Sequence, residues 1–135
     1  MTLDNLVKIR ELKQEPTNQQ EFDALVKAGS ERLKDAKNPS LSYASRFDLS
    51  YNASHSLALA ALRAAGYRSD KRYQVFQCLA HTTNLNRATI RIFALCHDKR
   101  NLAEYEGHFE EDEALLRQLI TSCVALEKAV RKFSF

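Results

Sequence analysis

The sequence predicts an all-α protein, a compact up-and-down bundle of four main helices plus one or two short helices. Three observations predict it. The chain of 135 residues holds only 3 Gly and 2 Pro, too few for the turns of a β-sandwich or barrel. Apolar residues recur at helical spacing in one segment after another. No segment shows the credible alternation of a half-buried strand.

Each element follows from local signals. Thr2 caps a short first helix carrying Leu3, Leu6, Val7 and Leu12, and Pro16 ends it. Thr17 followed by Gln20 fits a capping box for a second helix, with Phe22, Leu25, Val26, Gly29 and Leu33 on one face. Asn38-Pro39 stops that helix, because the ring of Pro39 disfavours a helical residue before it. Ser40 starts the longest helix, which runs to about Ala65 through a segment of strong helix formers, Leu57 to Leu62. Gly66 follows as the left-handed residue past its end. Ser69 caps a further helix bearing Tyr73, Phe76, Cys78 and Leu79, to about Thr82.

Asn84-Leu85-Asn86 marks a break, and the next helix spans about Leu85 to Glu104 with Leu85, Thr89, Ile92, Phe93 and Cys96 inward. Gly107 interrupts the chain. The last helix begins near Glu110, where acidic residues suit the positive end of the helix dipole. Leu115, Leu116, Leu119, Ile120, Cys123, Val124, Leu126 and Val130 form its apolar side.

The length fits a single domain spanning residues 1–135 that buries roughly two-thirds of its unfolded surface. No apolar run approaches the roughly 18 residues a membrane span needs, and the N-terminus carries no basic stretch leading into an apolar block. The expectation is a cytoplasmic protein with no membrane partner. Net charge is +3, but it is unevenly spread. From Arg63 to Arg100 there are eight basic residues against two acids, a balance of +6; from Asn101 to Glu113 there are six acids and no Lys or Arg, a balance of −6. Two readings stand: solvated helix faces, or a basic surface suited to phosphate. Cys78, Cys96 and Cys123 lack zinc spacing and sit in apolar helical context, which points to buried thiols rather than to a nucleophile. No two of His55, His81, His97 and His108 stand at the i, i+4 spacing of a helical metal site, so neither metal nor cofactor is expected.

Two polar faces carry the candidate chemistry. Asp48, Tyr51, Asn52 and His55 fall at i, i+3, i+4 and i+7 on the long helix. His97, Arg100, Asn101 and Glu104 or Tyr105 repeat the pattern downstream. If the faces meet, they form a buried polar network in which Asp48 pairs an arginine and His55 donates to a carbonyl. Alternatively they form a cleft, with Arg100 as phosphate binder and His55 or His97 as proton carrier. A nucleotide pocket lined by Tyr51, His55, Arg100 and Tyr105 is a third reading.

The run Tyr51-Asn52-Ala53 through Leu57-Ala58-Leu59-Ala60-Ala61-Leu62 to Gly66-Tyr67-Arg68 resembles the long central helix of HEPN-domain proteins. His97-Asp98-Lys99-Arg100-Asn101, leading into Glu104-Tyr105-Glu106-Gly107, resembles that family's Arg-Asn signature region, in the small stand-alone variant where Tyr-Glu follows. The resemblance covers residues 38 to 131. It implies a helical bundle that forms a homodimer, with RNA, an antitoxin or a nucleotidyltransferase as partner. Many members are metal-independent ribonucleases of toxin–antitoxin or defence systems; others bind RNA, nucleotides or proteins without catalysis. Carried over, Arg100 matches the motif arginine and Asn101 its polar neighbour. The family's histidine would fall at Tyr105, Glu106 or Gly107, and none is His; His108 lies one place beyond. His97 and His55 are the residues that could substitute.

Overall fold

The computed structural model describes residues 2–107 and 110–133. The chain is all-α, as its composition and periodicity predict. Four long helices carry it: α2 (Gln19–Ala36), α3 (Tyr43–Ala64), α6 (Arg87–Glu106) and α7 (Glu113–Arg131). Three short ones, α1 (Leu3–Lys8), α4 (Arg72–Gln77) and α5 (Leu79–Thr82), fill the connections. Among the described residues, no helix is long and apolar enough to cross a membrane.

α3 is the organising element. It packs against α2, α7, α4 and α6, and α7 in turn packs against α6 and α2. Its small residues Ala53, Ala58, Ala60 and Ala61 are fully buried and let neighbours approach closely. Phe47, Tyr51, Leu57, Leu62, Phe76, Phe93, Leu119 and Leu126 complete a continuous core from several helices. Phe76 of α4 and Phe93 of α6 stack with centroids 5.4 Å apart, which holds these two helices together beside α3.

Several boundaries differ from the sequence expectation, each for a local reason. Asn18, not Thr17, caps α2 by accepting from the Glu21 amide at 3.0 Å. The Thr17 hydroxyl is used elsewhere: it donates to the carbonyls of Arg63 and Ala64 at the end of α3, where the Arg63 carbonyl also accepts from the Gly66 amide. Ser42, not Ser40, caps α3, because Asn38 first folds a turn in which its side chain accepts from the Ser40 amide at 2.9 Å. Ser69 likewise turns back to accept from the Lys71 amide, and α4 starts at Arg72 with no side-chain cap. The helix expected from there to Thr82 is broken at Cys78 into α4 and α5. α6 starts at Arg87, two residues after Leu85, because Asn86 caps it by accepting from the Thr89 amide at 2.8 Å, and its buried residues are Ile90, Phe93 and Cys96.

The first helix ends at Lys8, because Arg10 turns to φ +63°. Leu12 is nonetheless buried, outside the helix. The chain then forms a two-residue strand, β1 (Lys13–Gln14), antiparallel to β2 (Tyr67–Arg68). A ladder this short carries no alternation to read. Gly66, between α3 and β2, holds φ +90°, a conformation costly for any residue with a Cβ.

Candidate functional site

α3 and α6 present the two polar faces toward each other, and they meet. The Tyr51 ring is fully buried between them. Its hydroxyl lies 2.8 Å from His97 Nδ1. The other ring nitrogen of His97, Nε2, lies 3.1 Å from the Asn101 side-chain amide. The Arg100 guanidinium sits over the Tyr51 ring, 4.9 Å from its centroid. Asn52 closes the arrangement by donating to the Asp48 carbonyl, which fixes its amide across the surface of α3.

Arg72 belongs to the same cluster, although no sequence spacing links it. Its Nη1 donates to Asn52 Oδ1 at 2.9 Å and its guanidinium lies 5.6 Å from the Tyr51 centroid. The packing of α4 on α3 and α6, through Phe76, brings it there. Tyr73, the next residue, tilts against His97 at 5.9 Å and is 47% exposed. Two guanidiniums therefore flank one buried tyrosine ring where α3, α4 and α6 meet.

Arg100 is held loosely. Asp48 approaches its Nε only to 3.9 Å and Glu104 its Nη2 to 3.4 Å, and both carboxylates are mostly exposed. Among the described residues its Nε has no hydrogen-bond partner although it is buried from solvent. Asp48 thus pairs an arginine as expected, but at the surface rather than in a buried network. Such pairs contribute little, about 1 kcal/mol or less.

His55 and His97 are both held toward the neutral form. Burial, with Arg72 nearby, pushes His55 down to about 4; its ring stands edge-on to Phe76 at 6.0 Å. Burial also lowers His97, with Arg100 and Arg72 adding to it and Asp98 opposing. Burial raises Tyr51, so its hydroxyl stays protonated. In a neutral imidazole one nitrogen donates and the other accepts, and His97 has a partner at each. The three cysteines are buried free thiols; burial pushes Cys96 and Cys123 up to about 12 and raises Cys78, so none is a ready nucleophile.

Tyr105 is not brought to the cluster. It is 91% exposed, since five positions past Arg100 turn it well around α6. The pocket expected between Tyr51, His55, Arg100 and Tyr105 therefore does not close. His108 lies outside the described residues. The basic run from Arg63 to Arg100 also does not form one face. Arg63 is buried and bonded to Glu21, Arg68 to Glu15 and Glu21, and Lys71 to Glu11. Of that run, Arg72 and Arg100 are the members that converge. Among the described residues no group of three or more His, Cys, Asp or Glu could hold a metal ion. A groove of about 560 Å³ lined by Phe22, Lys27, Val130 and Arg131 lies away from the cluster, between α2 and α7.

Comparison of the chain with protein-family models, with curated proteins and with solved structures finds no match.

Proposed function

We propose that this chain is a HEPN-like helical-bundle protein that engages RNA through the Arg72–Arg100 cluster, with an altered, metal-independent ribonuclease site. The convergence of two guanidiniums on the Tyr51 ring carries the reading. Guanidinium is the side-chain group best matched to phosphate oxygens. A phosphate has little to displace at Arg100, because Asp48 and Glu104 hold it only at long range and in solvent. Asn101 and Tyr73, both exposed and both against His97, offer an amide and a ring suited to a sugar hydroxyl and a base. His97, one helical turn before Arg100, is pushed toward its neutral form, the form that takes a proton from a 2′-hydroxyl. The partner systems in this reading are those of the resemblance, a toxin–antitoxin or defence pair.

The test is incubation of the purified chain with cellular RNA in EDTA, beside Arg100→Ala and His97→Ala. Discrete cleavage by the wild type, lost in both variants, is the expected result. Cleavage that persists in Arg100→Ala contradicts the proposed site.

A second reading, a non-catalytic RNA, nucleotide or protein-interaction module, is favoured by one specific observation. His97 is engaged at both ring nitrogens and His55 is held near 4, so neither stands poised as a general base. Binding of RNA without cleavage, lost in Arg100→Ala, selects this reading for RNA. Thermal stabilisation by one member of a nucleotide panel selects it for a nucleotide.

A further inference from the structure

The end of α1 carries an arginine where helix ends favour glycine. Its last turn closes by two bonds, from the Glu11 amide to the Leu6 carbonyl at 2.9 Å and from the Arg10 amide to the Val7 carbonyl at 3.0 Å. That closure places Arg10 in the left-handed region, at φ +63°, a position that glycine usually fills. Any residue with a Cβ is strained there. Strain of this kind gathers at sites that serve a ligand. Among the described residues the exposed Arg10 guanidinium pairs with no carboxylate, so no ion pair within the fold accounts for it.

Arg10 lines a cavity of about 420 Å³ between the connection from α1 to β1 and the turn from β2 into α4. Lys13 lines it too, exposed and likewise without an acid among the described residues. Arg68 and Lys71 come from the other segment, but their charges are already met, by Glu15 and Glu21 and by Glu11. The charge left over is that of Arg10 and Lys13, opposed by Asp70. Ser69 adds a hydroxyl whose oxygen accepts from the Lys71 amide at 3.1 Å, which leaves its proton to donate. Val7 and Leu12 supply an apolar wall. The volume is that of a small-molecule site, roughly 300–1,000 Å³, and exceeds what a phosphate ion fills. None of its described lining residues is aromatic, so it offers no ring for a base to stack on. We propose that this cavity binds a small sugar phosphate, with the phosphate between Arg10 and Lys13 and the hydroxyls donating to Asp70 and Glu11. The proposal does not rest on the RNA reading. Arg72 follows Lys71 in sequence but serves Asn52 and the Tyr51 ring, and it does not line this cavity.

The experiment is a thermal scan of the full chain against glucose 6-phosphate, with glucose and sodium chloride at matched ionic strength as controls. Glucose 6-phosphate should raise the melting temperature in a concentration-dependent way, and neither control should. Arg10→Gly separates a ligand role from a structural one. It relieves the left-handed strain, so without ligand it should melt above the wild type, yet it should bind at least about tenfold more weakly. Lys13→Gln should melt with the wild type and also bind more weakly. Arg100→Ala should keep the response, which separates this cavity from the Tyr51 cluster. No shift beyond the controls overturns the proposal, as does a full response in Arg10→Gly and Lys13→Gln. A response lost in Arg100→Ala moves the ligand to the other site and overturns it equally. An Arg10→Gly variant that melts below the wild type assigns the arginine to the fold, and a larger shift with adenosine monophosphate than with glucose 6-phosphate contradicts the ligand class.

Discussion

Arg63 shows what a single buried charge does for this fold. Its side chain is 1% exposed, yet every donor has a destination. Nε meets Glu21, Nη1 donates to the carbonyls of Glu15 and Tyr67, and Nη2 donates to that of Pro16. One fork thereby ties the connection before α2 to the end of α3. Arg63→Ala should cost about 3 kcal/mol, since it strands three carbonyls and opens a cavity; urea unfolding measures it. Arg63→Lys should recover little, because a point charge cannot reproduce the fork. Asp48→Ala, by contrast, should change stability by less than about 0.5 kcal/mol, since that carboxylate is largely exposed.

His55 makes the protein sensitive to acid. Its folded value near 4 lies below the ordinary 6.5, so the unfolded chain binds the proton more tightly. Its contribution is intact above about pH 6.5 and is lost as pH falls toward 4. The loss amounts to roughly 3 kcal/mol, from the size of the displacement. Stability measured against pH should fall more steeply over that window in the wild type than in His55→Gln. Spacing on each helix was enough to place Tyr51, His55, His97 and Arg100 on two polar faces. Arg72 was not legible, because a packing contact through Phe76, and no periodicity, delivers it to the same ring.

At the scale of elements, the α2–α3 contact depends on Gly29. A Cβ there would lie 2.6 Å from Leu57 Cγ and 3.2 Å from the Ala53 carbonyl oxygen. Gly29→Ala should destabilise by about 1–3 kcal/mol, since backbone on one side and a packed leucine on the other leave no room; a thermal scan reports it. α2, α6 and α7 were readable because each buries a stripe of period 3.6, a signal spread over many residues, and α3, buried around most of its surface, through its run of strong helix formers. Their starts were not, because a cap is a competition among neighbouring polar residues. Thr17 lost to Asn18 once the end of α3 claimed its hydroxyl, and that claim comes from 46 positions along the chain. The β1–β2 ladder has the same origin, in a pairing of segments distant in sequence.

At the scale of the whole molecule, α6 matters through its inner flank, which joins α3 and α4 at the Tyr51 ring. The central claim is that the inner flank binds RNA phosphate. The most direct measurement is the affinity for a single-stranded RNA across a range of salt concentrations, for the wild type and for Arg100→Ala. The account predicts that wild-type affinity falls steeply as salt rises, because phosphate binding releases counterions. It predicts that Arg100→Ala binds more weakly at every salt concentration, with a salt slope shallower by about 1. Affinity indifferent to salt, or an Arg100→Ala variant with wild-type affinity and slope, would contradict it.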